Sequence, residues 1–282
     1  GGGRHIRPAP TPRDADIARA LEILTTAQRP IIYAGVGVHT SGAMEELRTL
    51  AEALQAPVFT SLPGRGVLPE THPLSAGLLT FRGTESIRDE ADACLAVGTA
   101  FAETSTLGWS IKLPNNLVHI DVDPQVIGRN YPVAVGIVAD AREALLRLLA
   151  GAPRRQAASE TLRTLEMARA AWRDEIANFM STQPSRPIHP RWVTQQLRRA
   201  FPEETIFTID GTQTQFWFYE EAFPFTQPRT LLPSTVFQSM GCSFNMAIGA
   251  KLAAPDRPVV AACGDGSFLM QIGEIPSAVH NG

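Results

Sequence analysis

Residues 258–272 read PVVAACGDGSFLMQI, and this stretch decides how the second half of the 282-residue chain is interpreted. Val259–Ala262 is typical of a buried parallel strand, and the residues from Ser267 onward are expected to form a helix. A Gly-Asp-Gly turn (264–266) stands between them, and open α/β sheets bind ligands beyond the carboxyl ends of their strands. The pattern therefore predicts a ligand site at this junction, although Asp-Gly is also a common pair in surface turns.

The residue types at this junction favour a cation bound together with a diphosphate. Glycines let a ligand approach the backbone, and the free amides at the start of a helix attract phosphate. Asp265 would repel a phosphate alone but not a diphosphate bridged by Mg²⁺, because a carboxylate is a hard oxygen ligand for that ion. We therefore expect Asp265 to hold a divalent cation against a diphosphate.

Strand-like and helix-like segments alternate upstream of this stretch. PIIYAGVGV (30–38) and ACLAVGTAF (93–101) are typical of buried strands that end in glycine turns, and GAMEELRTLAEALQA (42–56) is typical of an amphipathic helix. This alternation predicts an α/β fold, with a doubly wound parallel sheet in a central domain and part of a second α/β domain behind it.

The length of the chain suggests about two domains. Residues 151–187 contain a long polar helix followed by a segment rich in Pro and Ser, which is typical of an interdomain linker. We predict a linker or tail over 1–13, a central α/β domain over 14–150, the linker over 151–187, and a partial second domain over 188–282.

Composition and charge exclude some classes of partner. The formal net charge is −3, so no basic surplus points to nucleic acid. No apolar run approaches the roughly 18 residues of a membrane span. The 3 cysteines are far apart among small apolar residues, which predicts reduced thiols and a cytoplasmic location.

A longer pattern surrounds the Gly-Asp-Gly turn. Residues 240–279 read MGCSFNMAIGAKLAAPDRPVVAACGDGSFLMQIGEIPSAV. In order and spacing they resemble the cofactor-binding domain of thiamine diphosphate enzymes of the acetolactate synthase and benzoylformate decarboxylase family. RPIIYAGVGV (29–38), LPGRGVLPETHPLSAGLL (62–79) and LVHIDVDPQVIGRNYPV (117–133) are similar to the family's central domain.

The resemblance implies an activity and a set of site residues. It implies a thiamine diphosphate- and Mg-dependent decarboxylase or carboligase acting on a 2-oxo acid, with the cofactor as electron sink. Asp265 would bind Mg²⁺, and Met240 would pack under the thiazolium ring. The other residues implied to surround the diphosphate are Gly264, Gly266, Ser267, Gln213 and Thr214.

Two functional groups of this family are expected outside the chain. The resemblance implies an activating glutamate in a preceding domain and a further Mg²⁺ ligand, an asparagine, beyond residue 282. Asn281 stands where a helix-ending Asn-Gly would stand, so we do not assign it to the metal. We expect this chain alone to be inactive, and the full-length protein to be a homodimer or homotetramer because the family builds each active site across two subunits.

The central domain raises a separate question about a nucleotide. In the family this domain holds FAD, ADP or nothing, and the residues leave these alternatives open. FAD-binding members carry arginines after the strand that ends here at Gly98, whereas GTAFAETSTLGW (98–109) has none. The candidate residues for such a crevice are Gly35, Gly37, Arg82, Gly98 and Asp121.

Other functions remain alternatives from the sequence. A benzoylformate decarboxylase-like enzyme or an acyl-CoA lyase would use the same cofactor on a different acyl group. A non-catalytic nucleotide-binding or assembly module would use only the central domain. The aromatic run Phe216–Tyr219 suits either a substrate pocket or a subunit interface.

Overall fold

The computed structural model describes residues 10–156, 159–184, 186–219, 223–235 and 237–281. These residues form two parallel β-sheets, one of six strands and one of three, with helices packed around them. The predicted fold class is confirmed. Residues 1–9 of the predicted tail lie outside the described residues, and the domain boundaries proposed at 150 and 187 stay predictions.

The first sheet is parallel throughout and has the order β3-β2-β1-β4-β5-β6. Its strands are β1 (Pro30–Ala34), β2 (Val58–Thr60), β3 (Ser75–Leu78), β4 (Ala93–Val97), β5 (Leu117–Asp121) and β6 (Val135–Val138). Tyr33 of β1 lies between Phe59 of β2 and Ala96 of β4. The strand order reverses between β1 and β4, which is the point where such sheets open a ligand crevice.

Amphipathic helices surround the first sheet. They include α1 (Asp14–Thr26), α2 (Val36–Ser41), α3 (Met44–Leu54), α4 (Glu85–Asp89) and α5 (Ala141–Gly151). Helix α3 buries Leu47, Leu50 and Leu54 in the main core, and each such side chain contributes about 2 kcal/mol of hydrophobic stabilisation. Helix α5 begins where the Asp140 carboxylate accepts hydrogen bonds from the amides of Arg142 and Glu143.

A long helix, α6 (Ser159–Ser181), follows the first sheet and spans 23 residues. It packs against the first unit on the side of the sheet where β3 lies. The Trp172 ring meets Phe81 edge to face, with 5.2 Å between centroids. The Arg169 guanidinium donates to the backbone carbonyls of His72 at 2.9 Å and Pro73 at 2.8 Å. The helix predicted in this polar stretch is therefore present and packs against the first unit.

The second sheet is also parallel, with the order β8-β7-β9. The elements of this unit are α7 (Pro190–Ala200), β7 (Ile206–Ile209), α8 (Gln213–Tyr219), β8 (Leu231–Pro233), α9 (Ser243–Ala253), β9 (Val259–Ala262), α10 (Asp265–Leu269) and α11 (Ile275–His280). In the register, Thr208 of β7 is opposite Leu232 of β8 and Ala261 of β9. The carboxyl ends of β7 and β9 therefore meet at one edge.

Some predicted elements end elsewhere in the structure. The strand expected to run into a glycine turn within 30–38 ends at Ala34, but the residues after Gly35 form the short helix α2. The helix expected from Ser267 begins at Asp265 instead. It is also broken, since a 3-10 turn at Ile272–Glu274 separates α10 from α11. Strands β3 and β8 were not predicted, because one contains Ser and Gly and the other is three residues long and ends at a proline.

The two units meet over a shared aromatic core. Its buried members include Leu62, Leu78 and Phe81 from the first unit and Phe207, Phe218, Phe223 and Phe225 from the second. The Phe207 and Phe223 rings pack edge to face at 4.9 Å, and Phe223 and Phe225 are 5.1 Å apart. Aromatic pairs at these distances add about 1 kcal/mol each to their burial.

A buried ion pair lies within this contact, and we call Arg65, Glu70 and the backbone they hold the Arg65 cluster. The side chains of Arg65 and Glu70 are 1% and 8% exposed and form two parallel bonds of 2.5 and 2.6 Å. Arg65 also donates to the carbonyls of Phe218 and Phe223, and its guanidinium lies 4.7 Å from the centre of the Phe225 ring. The Phe225 amide donates to Glu70 at 2.9 Å. One arginine therefore holds the end of α8 against the first unit.

Among the helices that the structure describes, none has both the length and the apolar composition needed to span a bilayer.

Candidate functional site

The predicted site residues from two distant stretches come together at the carboxyl edge of the second sheet. Asp210 follows β7 directly, and Cys263 and Gly264 follow β9. A Cβ placed on Gly264 would lie 3.9 Å from the hydroxyl oxygen of Thr212, so the two loops are in contact distance. Helices α8 and α10 both start at this edge, which brings Gln213 and Asp265 to the same side of the sheet.

Asp265 is the first residue of α10 and is exposed. Its carboxylate accepts a hydrogen bond from the Gly266 amide at 2.8 Å. A Cβ placed on Gly266 would meet nothing within 4 Å, so the backbone beside the carboxylate is open. A hard carboxylate oxygen beside open backbone is a suitable ligand for a cation that carries phosphate. The prediction for Asp265, Gly264 and Gly266 is thus compatible with the geometry and stays a prediction.

Ser267 is placed differently from the expectation that it faces a ligand. It is 1% exposed. Its hydroxyl donates to the Asp210 carboxylate and accepts a hydrogen bond from the Gly241 amide at 2.6 Å. The reason is that α10 starts two residues earlier than predicted, which turns Ser267 inward. Its side chain therefore forms hydrogen bonds inside the protein and does not face the open edge.

Gln213 and Thr214 form the first turn of α8. Gln213 is exposed and Thr214 is half-buried, and the Thr214 amide donates to the Thr212 hydroxyl at 3.3 Å. Phe216 is exposed, whereas Phe218 is buried in the shared aromatic core. The aromatic run therefore points to both sides of α8, with one ring in the core and another at the surface.

Met240 lies in the loop before α9 and is 49% exposed. A Cβ placed on the next residue, Gly241, would lie 3.1 Å from the Met270 Cβ, so this loop packs on the segment after α10. Several other large apolar side chains of this unit are exposed, namely Phe216, Phe237, Leu269, Met270 and Ile272. Met240 is therefore accessible, and its loop lies close to the exposed Met270, which is compatible with its predicted contact with a ring.

Asp210 is a central residue of this edge that the sequence analysis did not single out. It is fully buried. Its carboxylate accepts hydrogen bonds from the Cys242 amide at 2.8 Å, the Ser243 amide at 2.6 Å and the Ser267 hydroxyl. The only sequence signal for it was an acidic residue directly after an apolar strand.

The two thiols of this unit are held in the protonated form. Burial and the nearby Asp210 carboxylate raise the pKa of Cys242 and of Cys263. The Cys242 thiol lies 3.1 Å from an Asp210 oxygen and donates to it. Cys242 therefore acts as a hydrogen-bond donor.

Gly35, Gly37 and Gly98 pack on one another where the strand order of the first sheet reverses, between β1 and β4. The Gly35 amide donates to the Val97 carbonyl and the Gly37 amide to the Gly98 carbonyl, both at 2.9 Å. A Cβ on Gly35 would lie 2.2 Å from the Gly98 oxygen, and one on Gly37 would lie 2.5 Å from the Gly98 Cα. Close contact between two loops thus accounts for these three glycines without a phosphate.

The other candidate residues of the central crevice are at the same edge. Arg82 is exposed after β3, and Asp121 ends β5, where its carboxylate accepts the Asp123 amide at 3.0 Å. His119 of β5 is 1% exposed, and burial lowers its pKa, so it is neutral and its Nε2 bonds the Thr99 backbone oxygen at 2.9 Å. A nucleotide at this edge stays a prediction.

Substituting one interlocked glycine tests this packing. We expect Gly35→Ala to lower the free energy of unfolding by about 2–3 kcal/mol, because the new methyl group cannot fit beside the Gly98 oxygen. Urea unfolding of the full-length protein measures the effect. Gly249→Ala is the matched control, since a Cβ there meets nothing within 4 Å and alanine favours a helix by up to about 1 kcal/mol. Equal stability of the two variants would contradict the packing.

Clusters of metal-ligating residues and cavities bear on where a metal ion or ligand could bind. Within the described ranges, no group of three or more His, Cys, Asp or Glu residues is arranged to hold a metal ion. Two cavities, of about 620 and 740 Å³, are lined by other residues and do not include Asp265. Asp265 is the exposed carboxylate at this edge, so a metal ion bound there would need further ligands from phosphate oxygens or other parts of the protein.

Comparison with known proteins identifies related sequences. Residues 17–148 match the model of the thiamine pyrophosphate enzyme central domain, and residues 210–282 match that of the C-terminal thiamine pyrophosphate-binding domain. The chain is 35% identical over 276 residues to a probable acetolactate synthase large subunit of Methanocaldococcus jannaschii. The aligned region covers 92% of this chain and 45% of that protein.

Two further relatives extend this comparison. The large subunit of acetolactate synthase isozyme 3 of Escherichia coli is 34% identical, over 98% of this chain and 49% of that protein. A probable 2-ketoarginine decarboxylase of Pseudomonas aeruginosa is 36% identical, over 92% of this chain and 45% of that protein. The chain spans about half the length of the curated relatives that it matches.

Proposed function

We propose, starting from the fact that this chain belongs to the thiamine pyrophosphate enzyme family, that it is part of a thiamine diphosphate- and Mg-dependent enzyme acting on 2-oxo acids. The proposed activity is decarboxylation, with or without carbon–carbon bond formation, as in acetolactate synthase. The observation that carries the proposal is the meeting of the β7 and β9 loops, with the exposed Asp265 carboxylate beside the open Gly266 backbone.

The described residues fit the diphosphate end of this cofactor. Asp265 would hold Mg²⁺ through a carboxylate oxygen, and the backbone at Gly264 and Gly266 would face the phosphate oxygens. Gln213 and Thr214, at the start of α8, would approach the same group from the neighbouring loop. Met240 would support the ring part of the cofactor with an apolar surface. Ser267 contributes from the interior, as a partner of Asp210.

When bound, thiamine diphosphate supplies an electron sink for the bond that is broken in a 2-oxo acid. The residues of this chain would bind and orient the cofactor. A diphosphate anchored at Asp265 and a ring supported at Met240 would hold the reactive part of the cofactor in one place, which removes orientational freedom before reaction. The exposed apolar residues around Met240 would exclude water once another surface covers them.

The proposal places other groups outside this chain. An activating glutamate would be supplied by a segment beyond residues 1–282, so no catalytic residue is assigned here. The exposed apolar side chains of the second unit support a homodimer or homotetramer, in which such surfaces are covered. The three free thiols support a cytoplasmic location.

The names of the relatives favour two variants of the same chemistry. One relative is named for the synthesis of acetolactate and the other, a probable 2-ketoarginine decarboxylase, for the decarboxylation of a 2-oxo acid. Incubating the full-length protein with single 2-oxo acids and identifying the products distinguishes them, since a carboligase yields a longer carbon chain than its substrate.

A titration tests the cofactor assignment. We expect the full-length protein to bind thiamine diphosphate saturably in the presence of Mg²⁺, and at least about tenfold more weakly after the metal is removed, since the carboxylate and the diphosphate are both anionic. Isothermal titration calorimetry with and without a chelator measures this. Binding of FAD or ADP without any binding of thiamine diphosphate would instead support the non-catalytic nucleotide-binding module. A flavin that copurifies would be seen by its visible absorbance.

A further inference from the structure

A buried carboxylate connects the segments of the proposed cofactor site without reaching its surface. Asp210 follows the central strand β7 and is fully buried. A charged group in that position is stable only when hydrogen-bond donors surround it. The described donors come from two other elements, α9 and α10, and each of its oxygens serves a different one.

One oxygen of Asp210 holds the start of α9. Oδ1 accepts from the Cys242 amide at 2.8 Å, the Ser243 amide at 2.6 Å and the Cys242 thiol at 3.1 Å. The N-terminal residue of α9 makes no cap with its own side chain. The carboxylate therefore caps this helix from a neighbouring strand, and its negative charge is favourable at a helix amino terminus.

The other oxygen holds the first turn of α10. Oδ2 accepts from the Ser267 hydroxyl, and the Ser267 oxygen accepts from the Gly241 amide at 2.6 Å. Ser267 is two residues after Asp265, and Gly241 is next to Met240. The hydrogen bonds thus run from the Met240 loop, through Ser267, to Asp210. A second link ties Ser243 to β7, because its hydroxyl donates to the Thr208 carbonyl at 2.8 Å.

We propose that Asp210 is a positioning residue that fixes the distance between Met240 and Asp265. The inference rests on the proposed function, in which those two residues hold opposite ends of one cofactor. Asp210 has no exposed surface with which to touch a ligand. It acts by joining the two segments, so its loss changes where they stand relative to each other.

If Asp210 positions the two segments, its loss should weaken the binding of thiamine diphosphate but not of magnesium pyrophosphate, whereas a general structural role would affect both ligands. Magnesium pyrophosphate would contact only the Asp265 side of the site, so the spacing to Met240 does not affect its binding. Thiamine diphosphate spans both sides and depends on that spacing. A displacement of about 1 Å in a positioned group can lower a reaction rate by about 100-fold, and the affinity of a ligand held at both ends should respond in the same direction. We expect the two ligands to respond differently to the same substitution.

The decisive experiment compares both ligands on the full-length Asp210→Asn protein. The amide retains one acceptor oxygen for the α9 amides, but its NH₂ cannot accept from the Ser267 hydroxyl. We expect thiamine diphosphate with Mg²⁺ to bind on the order of tenfold more weakly or worse, and magnesium pyrophosphate to bind within about twofold of wild type. Calorimetry gives both affinities, and near-ultraviolet circular dichroism reports the environment of the bound ring.

Two further variants keep the test decisive. Asp256→Asn makes the same charge change in an exposed turn and should leave both affinities unchanged. Ser267→Ala removes the hydrogen bond to Oδ2 and the acceptor of the Gly241 amide but leaves the α9 cap in place. It therefore decides the matter if Asp210→Asn does not fold, and the same selective loss is expected. Equal weakening of both ligands, or no weakening of either, overturns the proposal. A wild-type protein that binds no thiamine diphosphate overturns the proposed function itself.

Discussion

Replacing Arg65 with methionine is expected to lower the free energy of unfolding of the full-length protein by about 3–5 kcal/mol. The substitution leaves Glu70 as an unpaired carboxylate whose side chain is 8% exposed. It also removes the donors to the carbonyls of Phe218 and Phe223, which lie inside the shared aromatic core. A buried charge without its partner is far less favourable than a buried pair, and this difference sets the size of the effect.

Urea unfolding measures the change, and two variants make it specific. Arg82→Met removes an exposed arginine and should change the stability by less than about 0.5 kcal/mol. In the double variant Arg65→Met/Glu70→Leu, both charges are gone, so part of the lost stability should return. A loss below about 1 kcal/mol in Arg65→Met would show that the cluster does not hold the two units together.

Replacing Asp265 with asparagine is expected to weaken Mg-dependent binding of thiamine diphosphate by the full-length protein on the order of 100-fold. An amide oxygen carries no net charge to attract the cation, whereas the carboxylate does. Folding should be little affected, because Asp265 is exposed and its described hydrogen bond is to the adjacent Gly266 amide. The expected signature is thus a large loss of affinity at nearly unchanged stability.

Calorimetric titration at saturating Mg²⁺ gives the affinity, and the urea midpoint gives the stability. Asp256→Asn is again the matched control for the change of charge. Wild-type affinity in Asp265→Asn would remove this residue from the cofactor site. A parallel loss of affinity and of folding would instead mean that Asp265 has a structural role that its exposed position does not suggest.

Much of the fold follows from local sequence patterns. The alternation from Asp14 to residue 151 predicts a doubly wound sheet, and α5 has the bounds that its apolar spacing suggests. Strands β3 and β8 could not be predicted in this way, because strands of three or four residues that contain Ser, Gly or Pro lack a strong apolar pattern. Their positions are set by neighbouring strands and not by their own residues.

The candidate site is predictable only in part. The turn at Asp265 stands out because it follows a strand, and open α/β sheets bind ligands at that edge, whereas Gln213 is expected only from the family resemblance. Asp210 also follows a strand, but its role could not be predicted from the sequence, since its partners Ser243 and Ser267 are 33 and 57 residues away in the chain. Likewise, Gly35 and Gly37 after β1 are candidates for a nucleotide crevice from the sequence, while their packing against Gly98 shows a use that only the tertiary structure reveals.

The position of β9 also has a practical consequence. Within the described residues β9 is hydrogen-bonded to β7 alone, and three of its four residues are only half-buried. Helix α9 beside it carries an exposed Leu252. A free strand edge with apolar neighbours is a template for pairing between molecules, so we expect a polypeptide of residues 1–282 to aggregate unless another surface covers this edge.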